Sequence, residues 1–170
     1  MKKIFLLALA TLLSSLFISS CKNDHSYPAG LEQFENYYYL GFLPWNNKLV
    51  SVNRDAGIVK FPVEFHSAYV RSYNADAHYT LVTDGIASPA VPGQDFNIVD
   101  KDGNVLQPVD GNYTITFPQA KYKIDTIYVQ LLNNPTPGTR QTEIDIVVNK
   151  TDQYTVGNFS DAFRRPLEIK

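Results

Sequence analysis

A single cysteine in 170 residues leaves no internal disulfide framework to build on. Histidine is scarce as well. His25, His66 and His78 are the whole supply, and no HExxH or CxxC spacing accompanies them. The common zinc arrangements are therefore excluded. No Gly-x-Ser-x-Gly elbow, phosphate loop or dinucleotide fingerprint occurs, so the usual nucleophilic and nucleotide-dependent chemistries have no carrier. We expect no catalytic residues. Basic residues are not clustered beyond Arg164-Arg165, and the formal net charge is -2. Nucleic-acid binding needs a positive footprint, which is missing. After residue 20 no apolar pattern repeats with helical period, and no internal repeat is evident.

What is abundant points to strands. The chain has 11 Tyr and 10 Phe, residues that suit a pleated, half-buried surface. Its 10 Pro and 9 Gly supply turns. Residues 124–132 alternate, with Ile127, Val129 and Leu131 on one face and Thr126, Tyr128 and Gln130 on the other. Residues 142–149 do the same, with Ile144, Ile146 and Val148 opposite Glu143 and Asp145. Two half-buried strands need a second layer across a core. Residues 57–67 alternate most cleanly. Val59, Phe61, Val63 and Phe65 face one way, and Lys60, Pro62, Glu64 and His66 the other. Pro62 lacks an N–H, so this strand is expected at an edge, or with Pro62 where no donor is used.

Shorter strands are expected at 36–42, 48–52, 77–83, 95–99, 113–117 and 163–169, with loops at 72–76 and 151–161. The Asp-Gly pairs at Asp102-Gly103 and Asp110-Gly111 suit tight turns with positive φ. Gly93 and Asp95 form a further step, in which Asp95 accepts hydrogen bonds from loop N–H groups and fixes the start of a strand. Eight or nine short strands predict an all-β, antiparallel sandwich over residues 34–170.

The N-terminus is of another kind. Lys2 and Lys3 precede an apolar run from Ile4 to Ile18 of about fifteen residues, short for a membrane span and suited to a secretory signal. The run ends in Ile18-Ser-Ser-Cys21, which resembles the lipobox of bacterial lipoproteins. That resemblance implies a signal peptide over 1–20, a lipid on the Cys21 sulfur and a polar tether over 21–33. Each buried CH₂ contributes ~0.8 kcal/mol, so two or more acyl chains anchor a domain stably. Lys22 follows Cys21, and the absence of Asp there resembles lipoproteins sent to the outer membrane. The implied address is the outer membrane, with surface exposure through the Lys22-Asn-Asp24 segment.

The order of later motifs resembles a Calx-beta-type domain: Gly85-Ile-Ala87, Pro92-Gly-Gln-Asp-Phe96, Tyr113-Thr-Ile-Thr-Phe117, residues 124–132, residues 143–148 and Tyr154-Thr-Val-Gly157. The resemblance spans roughly residues 57–169 and implies an immunoglobulin-like sandwich without catalysis. The whole chain is also similar to small lipoproteins of unknown function encoded beside SusC/SusD-type uptake systems. Calcium-binding members of the Calx-beta family carry an Asp-rich loop after the Thr-Ile-x-Val strand, whereas this chain has Asn133-Asn134-Pro135. A hard cation wants carboxylate oxygens, so no cofactor is expected. Asp100 and Asp102, with Asn104, are weak calcium candidates in an Asp-Gly hairpin.

Aromatic residues near the start of the domain offer the best binding hint. Tyr38 and Trp45, with Tyr69 or Tyr73 as neighbours, form the expected platform for the flat faces of sugar rings. The expected role is an accessory binding module for glycan or nutrient capture beside a transporter. The alternative is a structural or adhesive subunit that assembles through an exposed strand edge.

Overall fold

The computed structural model describes residues 38–67, 69–147 and 161–170, and the backbone alone of 154–156. The expected signal peptide, Cys21, His25 and the tether lie outside the described residues. Ten strands follow in order: β1 (Tyr38–Phe42), β2 (Val50–Val52), β3 (Ile58–Ser67), β4 (Asn74–Val82), β5 (Phe96–Val99), β6 (Tyr113–Pro118), β7 (Tyr122–Leu131), β8 (Arg140–Ile146), β9 (Tyr154–Val156) and β10 (Arg164–Ile169). One sheet runs β5-β7-β3-β1-β9 and the other β2-β10-β8-β4-β6. They form a sandwich, as the alternation requires.

The core follows from parity. Phe61, Val63 and Phe65 of β3 are buried, as are Ile127, Val129 and Leu131 of β7 and Ile144 and Ile146 of β8. Tyr38 and Phe65 meet with ring centroids 4.7 Å apart, and Phe65 stacks on Phe117 at 5.1 Å. Fully burying one such ring contributes about 1.5–3 kcal/mol.

The structure departs from the sequence reading in several places. β9 lies inside the stretch 151–161, where the sequence predicts a loop, and it pairs parallel with β1. β10 and β2 also run parallel. Both parallel partners are three-residue strands at a sheet edge, too short to give an alternation signal. β4 begins at Asn74, within the expected 72–76 loop, because Ala75 and Ala77 point inward with little apolar bulk to announce it.

Pro62 takes the second of its two options. β3 lies between β1 and β7, yet the carbonyl of Pro62 accepts the N–H of Leu43 at 2.8 Å, one residue beyond the end of β1. The N–H that proline lacks would point the same way, where pairing stops.

The turn chemistry is as expected. Asp110 and Gly111 have φ of 48° and 79°, and Val109 and Asn112 exchange two backbone hydrogen bonds around them. The buried Asp95 carboxylate accepts from the Val91 N–H and from Asn134 Nδ2, each at 2.8 Å. It therefore fastens the start of β5 to the loop after β7.

Candidate functional site

The outer face of the β5-β7-β3-β1-β9 sheet carries the aromatic site. Because Tyr38, Leu40 and Phe42 are buried, Tyr39 and Gly41 must face outward. Strand register then sets two cross-strand rungs. Tyr39 stands opposite His66, which stands opposite Tyr122; Gly41 stands opposite Glu64, which stands opposite Ile124. Tyr122 is 57% exposed and Ile124 45%.

Trp45 folds back onto this face. It lies just after β1, and its indole rests where a side chain at position 41 would stand. A Cβ built on Gly41 would come within 2.5 Å of the ring. Only glycine leaves that floor open. The indole N–H donates to Glu64 Oε2, and the residue remains 43% exposed.

The turn that carries Trp45 is braced from within. Arg165 is buried at 3% exposure. Its Nη2 donates to Pro44 O at 2.8 Å, its Nη1 to Asn46 Oδ1 at 3.2 Å, and its guanidinium lies 5.5 Å from the Phe42 ring centroid. Burial lowers its pKa. An internal arginine thus grips the residues on both sides of the exposed indole.

Glu64 ties the two rungs together. Besides accepting from Trp45, it lies beside Tyr122. Hydrogen bonding to that carboxylate holds the Tyr122 phenol above its usual pKa. His66 meets the Tyr122 ring edge-on at 6.2 Å. Among the described residues no cation pairs with Glu64. Flat rings beside an acceptor-only carboxylate can stack on the C–H face of a sugar while a hydroxyl hydrogen-bonds at its rim.

The expected platform is corrected in part. Tyr38 does not belong to it: at 2% exposure it packs on Phe65 inside the sandwich. Tyr73 packs against the core, and Tyr69 stands on the β3–β4 connection with its carbonyl bound by Ser67 Oγ at 2.8 Å. Of the four, Trp45 is the one placed on the outward face, by its contact with Gly41 and its hydrogen bond to Glu64. Tyr39, His66 and Tyr122 were missed. The signal for Tyr39 lay in the apolar parity of Leu40 and Phe42; Tyr122 could be found only from its register with His66.

The Asp100 loop has a structural arrangement. Asp100 Oδ1 accepts from the N–H groups of Asp102 and Asn104, and Oδ2 from Asn104 Nδ2, all at 2.8 Å. These bonds, led by Asn104, lower the pKa of the Asp100 carboxyl. Lys101 bridges Asp102 at 2.8 Å. Among the described residues no group of three or more His, Cys, Asp or Glu side chains is placed to hold a metal.

No family model matches the sequence, and no curated protein matches it. Solved structures do. The chain is similar to the apo form of the Calx CBD1 domain, with a TM-score of 0.51, 15% identity, and coverage of 78% of this chain and 95% of that one. It is also similar to the Calx CBD2 domain, with a TM-score of 0.50, 10% identity, and coverage of 77% and 85%. At such identities the likeness is one of fold: this is a Calx-beta-like, immunoglobulin-like sandwich.

Proposed function

We propose that the chain is a non-catalytic binding module that captures glycan on the face bearing Trp45, Glu64 and Tyr122, held at the outer membrane by a lipid on Cys21 beside a partner transporter. The observation that carries the reading is the indole of Trp45, laid on Gly41, hydrogen-bonded to Glu64 and gripped from below by Arg165. Holding a large ring rigid while it faces water lowers the ordering cost of binding a flat ligand. The lipobox-like Ile18-Ser-Ser-Cys21 supports the membrane address.

The test is retardation of the full-length chain, in detergent, on gels containing neutral or acidic polysaccharides. Wild type should be slowed by at least one, and Trp45→Ala should lose that retardation with an unchanged melting temperature. Retardation by none, or equal retardation of the variant, would overturn the reading. For the anchor, Cys21→Ser should move the protein from the membrane to the aqueous fraction.

One observation favours a second reading, assembly through a strand edge. β6 ends its sheet, and among the described residues no strand pairs with its outer side. Size-exclusion chromatography separates the two, since edge pairing gives oligomers without any glycan.

A further inference from the structure

The chemistry of the same face narrows its ligand, and this step rests on the glycan reading above. Glu64 is the one formally charged side chain on the two outward rungs Tyr39–His66–Tyr122 and Gly41–Glu64–Ile124. It occupies the middle strand of three. Among the described residues no cationic side chain forms an ion pair with it. Lys60 sits toward the far end of β3 with its ammonium 5.9 Å from the Tyr128 ring centroid. Lys123, next to Tyr122 on β7, has the opposite parity along the strand, so it does not share the outward face.

Position decides the size of the ligand. Trp45 covers Gly41 on β1, and Tyr122 stands on β7, two strands away. Neighbouring strands are ~4.8 Å apart, which sets the two rings on the order of 10 Å apart across the sheet. That is the span of two linked sugar rings, and the Glu64 carboxylate lies between them.

Charge decides the kind. A carboxylate only accepts hydrogen bonds. It serves sugar hydroxyls or an ammonium, and it repels a uronate or sulfate brought to the same place. We infer that Glu64 is a specificity-determining residue: the face takes uncharged glycans, at least two sugar rings at a time, and rejects acidic ones. The repulsion acts at an exposed surface, so added salt weakens it.

The experiment compares neutral polymers (β-glucan, galactomannan, xylan) with acidic ones (polygalacturonate, alginate, chondroitin sulfate), using the full-length chain in detergent. Wild type should bind a neutral polymer at least tenfold more tightly than any acidic one. Raising the salt concentration should narrow that ratio. Glu64→Gln should narrow it at least tenfold at low salt. A wild type that binds acidic and neutral polymers alike overturns the inference and leaves the glycan reading standing. So does a ratio that neither salt nor Glu64→Gln moves. The salt series needs no variant, so a misfolded Glu64→Gln does not protect the idea. Binding to no polymer of either kind overturns the inference and the glycan reading together.

Discussion

Arg54 Nη1 lies 2.5 Å from the carbonyl oxygen of Asn134, eighty residues along the chain. The same guanidinium donates to Thr136 O at 2.7 Å and Gly138 O at 3.0 Å, and its Nε to Lys170 O at 3.2 Å. A cation supplied by the chain itself therefore gathers the loop after β7 and the end of β10.

Removing that cation should cost stability. Arg54→Ala leaves several carbonyls to water or to nothing, and we expect a loss of about 1–3 kcal/mol in urea unfolding. Arg54→Lys should restore little of it, because an ammonium cannot span the fork of carbonyls. Calcium should leave the melting temperature of wild type unchanged, since these oxygens already have a donor. A rise with calcium would show an ion bound to the folded state.

Gly41→Ala tests the seat of the indole. The added methyl group needs space the ring occupies, so Trp45 must lift away from Glu64. The change is on the outer face and leaves the core intact. We expect a stability change within about 1 kcal/mol and at least a tenfold loss of glycan affinity. Tryptophan fluorescence should shift to longer wavelength.

Arg165→Met keeps much of the side-chain volume and removes the grip on Pro44 O and Asn46 Oδ1. The Pro44 carbonyl loses a part-buried hydrogen bond, at a cost of about 1 kcal/mol. Weakened binding with the fold otherwise intact would identify Arg165 as a positioning residue. Iodide should then quench Trp45 more readily than in wild type.

Asp145 should make stability fall as pH rises. Burial, then the charge of and a hydrogen bond with neighbouring Glu143, push its pKa up to about 6, against 3.8 for a free group. Its Oδ1 is buried without a hydrogen-bond partner among the described residues. The folded state thus holds this proton more tightly than the unfolded chain does. The contribution is fully present below pH 3.8 and is lost as pH rises toward about 6. Arg164, 3.6 Å from Oδ2, opposes the shift without cancelling it. Asp145→Asn should gain on the order of 1 kcal/mol above pH 6, after discounting for solvent screening, and nothing near pH 4. Urea melts at the two pH values check this.

The long strands were legible because their apolar residues alternate without interruption. Phe61, Val63 and Phe65 announce β3, and Ile127, Val129 and Leu131 announce β7. The aromatic run in β1 was harder. Tyr37, Tyr38 and Tyr39 offer rings to both faces, so composition does not choose the inner one, and the choice rests on Leu40 and Phe42. The Asp-Gly turns and the bond from the Val91 N–H to Asp95 could be read from local chemistry, since each is set within a few residues; the bond from Asn134 to Asp95, 39 residues apart, could not. The rung Tyr39–His66–Tyr122 could not, because it is made by pairing across three strands. The brace from Arg165 to Pro44 joins residues 121 apart and left no mark in either segment.

The tryptophan of this face is the only one in the chain, so its emission reports on the site alone. The most direct measurement is a titration of the full-length protein in detergent with oligosaccharides of the polymer that retards it, following that emission. We expect a saturable change in intensity or wavelength, and the loss of most of the affinity in Trp45→Phe when its binding is read by gel retardation. Binding that saturates while the emission of Trp45 stays constant would contradict this expectation.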